Sequence, residues 1–126
     1  MKKVLLCDDE PDIIHQLKRI IEKEGFEVIT AGDGSEALEV MRETHPDLIL
    51  SDIAMPGMNG YQFYHRVRGE DAWVWIPFIF ITARDSALEV RYERELGADD
   101  YLVKPFAMED LLAAVLRTLP PPDLHR

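Results

Sequence analysis

Val4-Leu5-Leu6-Cys7-Asp8-Asp9-Glu10-Pro11 is a short apolar run that stops abruptly on acids and a proline. It reads as a strand buried on both faces, and the proline suits the first turn of a following helix. Outward from this stretch the alternation repeats. Ile13, Leu17, Ile20 and Ile21 keep helical spacing, Val28 to Ala31 is a second short run, and Ala37, Leu38 and Met41 return to helical spacing. Leu48 to Leu50, Tyr61 to Val67, Phe78 to Ile81, Ala87 to Leu96, Tyr101 to Val103 and Leu111 to Leu119 continue it, so five strands alternate with five helices. Gly25, Gly32, Gly34, Pro46, Gly60, Pro77 and Gly97 fall at the proposed element ends. Consecutive apolar residues in place of in-and-out alternation mean that helices cover both sheet faces, which predicts parallel strands in a single doubly wound α/β domain.

The 126 residues suit one domain, and 47% hydrophobic with 30% charged residues is too apolar a mixture for intrinsic disorder. The domain is expected over 1–119, with Pro120, Pro121 and Pro122 ending the last helix and starting a tail or linker over 120–126. A net charge of −10 makes direct binding to nucleic acid or to an anionic membrane unfavourable. The acids after Cys7 break any signal peptide or membrane span, and one cysteine permits no intramolecular disulfide, so a cytoplasmic protein is expected.

In doubly wound sheets ligands gather beyond the carboxyl ends of the strands. Here those ends carry Asp8, Asp9 and Glu10, then Ser51 and Asp52, then Thr82, then Lys104. Carboxylates so close repel one another unless a hard cation sits between them, and Mg²⁺ takes such oxygen ligands while leaving a position for a phosphate oxygen. A lysine and a hydroxyl across the pocket complete a cradle for a phosphoryl group, and a carboxylate can be the nucleophile that receives it. Spacing alone leaves Asp8, Asp9 and Asp52 equally eligible for that role.

Four segments together resemble the response-regulator receiver domains of two-component signalling. They are Leu5-Leu6-Cys7-Asp8-Asp9-Glu10, Asp52-Ile53-Ala54-Met55-Pro56-Gly57-Met58-Asn59-Gly60, Thr82-Ala83-Arg84, and the run from Gly97-Ala98-Asp99-Asp100 through Tyr101-Leu102-Val103-Lys104-Pro105-Phe106. The resemblance implies a flavodoxin-like (βα)5 fold with strand order 2-1-3-4-5, the order of the chemotaxis member of the family. It implies Asp52 as phosphoacceptor, Mg²⁺ held by Asp9, Asp52 and the Ala54 carbonyl, with Asp8 acting through a coordinated water. It implies Thr82 and Lys104 on the phosphoryl oxygens, a cis Lys104-Pro105 peptide, and Thr82 with Tyr101 as the switch. The donor would be a histidine-kinase phosphotransfer domain. The output would run through the fourth helix, fifth strand and fifth helix, with transcription among the outputs, and Ala54 and Arg84 would tune phosphoaspartate lifetime. Such a chain catalyses only its own phosphorylation and slow dephosphorylation, and is not an enzyme for an outside substrate.

The Gly97 to Phe106 run looks most like receivers of winged-helix transcription factors, which dimerise through that surface by a ladder of salt bridges. Asp99, Asp100 and Asp110 stand where acidic partners are expected, but Val90 and Ala114 stand where basic ones are usual, so only a weak homodimer is expected.

Plainer readings exist for each residue taken singly. Asp8 and Asp9 could cap the first helix, Asp52 could be a turn aspartate, and Thr82 could cap the fourth helix. Lys104 could be a solvated lysine and Tyr101 a half-buried strand aromatic. Their co-occurrence favours function. Trp73 and Trp75 are expected to pack over the ends of the third and fourth helices; exposure of both would mark a partner site. His15, His45, His65 and His125 show no ligand spacing. An aspartate-nucleophile phosphatase would carry Asp-x-Asp after the first strand, and a nucleotide-binding domain would have a glycine-rich first turn; neither is present. A phosphorylation-independent binding module on the same fold remains the rival from another class.

Overall fold

The structure, a computed structural model, describes residues 1–83 and 87–119. Arg84, the Pro120 to Pro122 segment and His125 lie outside the described residues. The elements follow the expected alternation: β1 (Lys3–Cys7), α1 (Pro11–Glu22), β2 (Glu27–Ala31), α2 (Gly34–Thr44), β3 (Leu48–Asp52), α3 (Gly60–Arg68), β4 (Phe78–Thr82), α4 (Ala87–Leu96), β5 (Asp100–Val103) and α5 (Met108–Thr118). All strand pairs are parallel, in the order β2-β1-β3-β4-β5.

Each central strand divides its apolar residues between two cores, as a strand's period of two requires. Val4, Leu6, Leu48, Leu50, Ile79 and Ile81 face one core, shared with Leu17 and Ile21 of α1 and Leu111, Ala114 and Val115 of α5. Leu5, Cys7, Ile49, Phe78 and Phe80 face the other, shared with Ala37, Leu38 and Met41 of α2 and Phe63, Tyr64 and Val67 of α3. Helix starts are fixed locally. Pro11 opens α1, Asp33 accepts from the Glu36 N–H at 2.8 Å to open α2, and Asn59 and Gln62 form a reciprocal capping box that opens α3. The single cysteine, Cys7, is fully buried in a strand flanked on both sides, and burial together with nearby carboxylates pushes its thiol far above the usual range.

The tryptophans part company. Trp73 is buried in the core with Phe63 and Phe78, as expected, whereas Trp75 is 90% exposed, against expectation. The segment turns twice, with the Trp73 N–H donating to the Glu70 carbonyl and the Ile76 N–H to the Trp73 carbonyl. That geometry sends Trp73 and Ile76 inward and carries Trp75 out.

Among the described residues no helix is long and apolar enough to cross a membrane.

Candidate functional site: an acidic pocket at the strand ends

The parallel topology brings the ends of β1, β3, β4 and β5 to one edge of the sheet, and with them Asp8, Asp52, Thr82 and Lys104. Asp52, the last residue of β3, is buried; its Oδ1 accepts from the Ile53 N–H at 3.0 Å and lies 3.3 Å from Lys104 Nζ. Among the described residues both of these contacts fall on Oδ1, which leaves Oδ2 as the oxygen without a hydrogen-bond donor. Asp8 is fully buried, and its Oδ1 accepts from the Glu10 N–H at 3.0 Å. Its Oδ2 is buried and, among the described residues, has no hydrogen-bond partner. Burial pushes the Asp8 carboxyl up to about 6, with the Asp52 and Asp9 charges adding to the rise while the Glu10 N–H and Lys104 oppose it.

The capping role is taken by neither acid: Glu10 occupies the N-cap of α1 without a side-chain hydrogen bond, and Asp8 braces the loop before it. Asp8, Asp9 and Glu10 bring carboxylate oxygens within 4.8 Å of one another. Glu10, which the sequence reading left out of the metal set, joins Asp8 and Asp9 in this trio, and the Asp52 carboxylate lies near enough for its charge to act on Asp8. Ala54 lies exposed in the loop after β3, two residues past Asp52. A hard divalent cation fits this donor set. The ligands are all oxygen, and the orphaned, buried Asp8 Oδ2 would otherwise carry its desolvation cost uncompensated.

The loop between β3 and α3 is held from below by Gly60. Its N–H donates to the Ile53 carbonyl at 2.9 Å, and a Cβ on residue 60 would lie 2.8 Å from Ile53 Cα and closer still to the Asp52 carbonyl oxygen. Across the pocket the Lys104–Pro105 peptide is cis, and the Lys104 N–H donates to the Thr82 carbonyl at 2.8 Å.

The family model described as response regulator receiver domain matches residues 4–116. The chain belongs to the response-regulator receiver family. This receiver is 38% identical over 114 residues to the DNA-binding response regulator MtrA of Mycolicibacterium smegmatis, covering 90% of this chain and 49% of that one. It is 40% identical over 111 residues to the transcriptional regulatory protein TrcR of Mycobacterium tuberculosis, covering 88% of this chain and 42% of that one. The receiver thus spans about half the length of these curated relatives, or less. Among solved structures it is similar to the chemotaxis response regulator CheY4 of Vibrio cholerae, with a TM-score of 0.87 and 36% identity over 94% of this chain and 99% of that one. The signal receiver domain of a histidine kinase from Syntrophus aciditrophicus gives a TM-score of 0.89 at 34% identity, covering 94% and 90%.

Thr82 is buried at the end of β4. Its hydroxyl donates to Glu93 Oε2 at 2.6 Å, and the Tyr61 hydroxyl donates to the same oxygen at 2.8 Å. Burial, together with Glu93, raises the Tyr61 phenol well above its ordinary range. Tyr101 is half-buried and stacks on Phe80 with ring centres 5.9 Å apart, its hydroxyl oxygen buried.

Glu93 and Tyr61 went unnoticed in the sequence because a glutamate within Arg91-Tyr92-Glu93-Arg94-Glu95 reads as a solvated helix face. The usable signal was the i, i+4, i+7 row Glu89, Glu93 and Leu96, which turns inward, while Leu88 and Tyr92 are exposed.

The acidic side chains expected in a dimer ladder are engaged within the receiver: Asp99 with Arg68 and the Phe78 N–H, Asp100 with Arg117, and Asp110 with the Ala107 N–H. Ala114, where a basic ladder residue was expected to be missing, is fully buried against the sheet and offers no charge to a partner.

Proposed function

We propose that this receiver accepts a phosphoryl group on Asp52 from a histidine-kinase phosphohistidine, with Mg²⁺ as cofactor, and signals through α4, β5 and α5. The observation that carries the reading is the buried Asp52 carboxylate, with Lys104 on one oxygen and the other oxygen left for attack. Asp52 Oδ2 attacks phosphorus in line with the phosphohistidine nitrogen, the new P–O bond forms as the P–N bond breaks, and the imidazole nitrogen leaves with the electron pair and is protonated. Lys104 and the Ile53 N–H hold the carboxylate so that attack needs little reorganisation. Asp8, Asp9 and Asp52, with the Ala54 carbonyl, would hold Mg²⁺, which when bound neutralises charge on the phosphoryl oxygens. Lys104 adds a second positive charge across the pocket, and Thr82 donates its hydroxyl to a phosphoryl oxygen. Tyr101 responds as the switch aromatic, in a population shift between two packings.

The chain is its own substrate and not a turnover enzyme. The receiver unit occupies 1–119. The named roles of MtrA and TrcR support transcription as the output, exerted by other parts of a regulator rather than by this acidic domain. A cytoplasmic location suits both a kinase donor and a reduced Cys7.

The test is incubation with acetyl phosphate, with and without Mg²⁺, followed by intact mass. One phosphoryl group is expected on the wild-type chain only with Mg²⁺, and none on Asp52→Ala. No addition to the wild type under any condition would favour a phosphorylation-independent binding module.

Self-association through α4, β5 and α5 is expected to be weak, because Asp99, Asp100 and Asp110 already have partners within the chain. Sedimentation of the phosphorylated chain should show mainly monomer. A tight dimer that Asp100→Ala disrupts would refute this.

A further inference from the structure

Among the described residues Asp8, Asp52 and Glu93 are the buried acids, and only Glu93 lies outside the acidic pocket. It is fully buried on the inward row of α4, and one of its oxygens receives two hydroxyl protons, from Thr82 on β4 and from Tyr61 on α3. A threonine hydroxyl has a single proton to donate. While that proton is given to Glu93 it is withheld from any anion in the pocket, and a hydrogen bond to a carboxylate is stronger than one between neutral groups. We propose that Glu93 is a positioning residue that holds Thr82 away from the phosphoryl position, so that phosphorylation must exchange one acceptor for another on the same hydroxyl.

The proposal rests on the reading of Asp52 as phosphoacceptor and adds a residue that sets how readily the receiver switches. The exchange is one of like for like. A phosphoryl oxygen is also an anionic acceptor, so the balance is set by which acceptor holds the proton better. Glu93 is well placed in this competition because Tyr61 fixes its carboxylate from the far side. The same triad connects the pocket to the surface of α4. Tyr61 meets Tyr92 edge to face with centres 4.9 Å apart, and Tyr92 is 42% exposed. Release of Thr82 therefore alters the contacts that hold the inward row of α4 against β4 and α3.

The test titrates the full chain with beryllium fluoride and Mg²⁺, a non-covalent phosphoryl mimic, and follows binding by amide NMR. Four chains are compared: wild type, Glu93→Gln, Thr82→Ala and the double variant. Glu93→Gln keeps the shape but weakens the acceptor, so it is expected to bind the mimic about tenfold tighter than wild type. In the Thr82→Ala background the same change is expected to shift affinity by less than about twofold, because the two residues act through one bond. Equal or weaker binding by Glu93→Gln, or an equal effect with and without the Thr82 hydroxyl, overturns the proposal alone. Failure of the wild-type chain to bind the mimic overturns the phosphoacceptor reading and this proposal with it.

If Glu93→Gln does not fold, the wild-type chain decides. Its Thr82 hydroxyl proton should be protected from exchange and coupled to Glu93 in the free form, and should leave Glu93 at saturation with the mimic. Persistence of the Thr82–Glu93 bond at saturation overturns the proposal.

Discussion

Replacing Gly60 with alanine is expected to destabilise the chain by about 3 kcal/mol, lowering the thermal midpoint by about 10 °C. The added methyl would lie 2.8 Å from Ile53 Cα and closer to the Asp52 carbonyl, and both neighbours are backbone atoms that cannot swing aside. Alanine is otherwise the better helix former, so without the clash the substitution would leave α3 no less stable. The sign of the change therefore separates the two effects. The chain can relieve the contact only by moving Asp52 and Ile53, which carry the proposed phosphoacceptor and the N–H bound to it. Phosphorylation by acetyl phosphate should therefore slow at temperatures where the variant is still folded. An unchanged or raised melting temperature would show that the loop yields without cost.

Asp8→Asn is expected to do the opposite for stability and to remove the response to cation. In the folded chain the Asp8 carboxyl is raised from its ordinary 3.8 to about 6, chiefly by burial. Folding then favours the protonated form, so the stability Asp8 contributes is fully present below 3.8 and is lost as pH rises through about 6. At pH 8 without divalent cation the wild type holds a buried carboxylate at a cost of about 3 kcal/mol. The amide variant escapes that cost, and its thermal midpoint at pH 8 should lie several degrees higher, with no comparable gain at pH 4. Mg²⁺ should stabilise the wild type and leave the variant nearly unmoved. Below pH 6 the apparent Mg²⁺ affinity of the wild type should fall about tenfold per pH unit, as cation and proton compete for the same carboxylate. Equal melting temperatures for the two chains at pH 8 would contradict the argument.

The elements were legible because the central strands are runs such as Phe78 to Thr82, buried on both faces, and most helices repeat an apolar row, α4 with its inward Glu93 excepted. Strand order was not carried by periodicity. A run of apolar residues names no neighbour, and the order β2-β1-β3-β4-β5 came from the resemblance. The pocket was visible because its polar groups interrupt apolar strands at their ends, where Asp8, Asp52, Thr82 and Lys104 are conspicuous. Glu93 was hidden for the converse reason: a polar residue on a helix is unremarkable until packing turns it inward. Trp75 failed for a related cause, since which way a turn residue faces is decided by contacts distant in sequence.

The lone thiol of Cys7 gives the receiver a chemical clock. It lies fully buried in a strand with neighbours on both sides, and its proton is held tightly. An alkylating reagent can reach it only after the core between the sheet and α2 and α3 opens, so the modification rate counts those excursions. Ligands that bind the closed form slow that count in proportion to their occupancy and affinity. Mass spectrometry of one alkylated cysteine can therefore compare the grip of cation, phosphoryl mimic and each variant on this core, without a dye or an engineered probe.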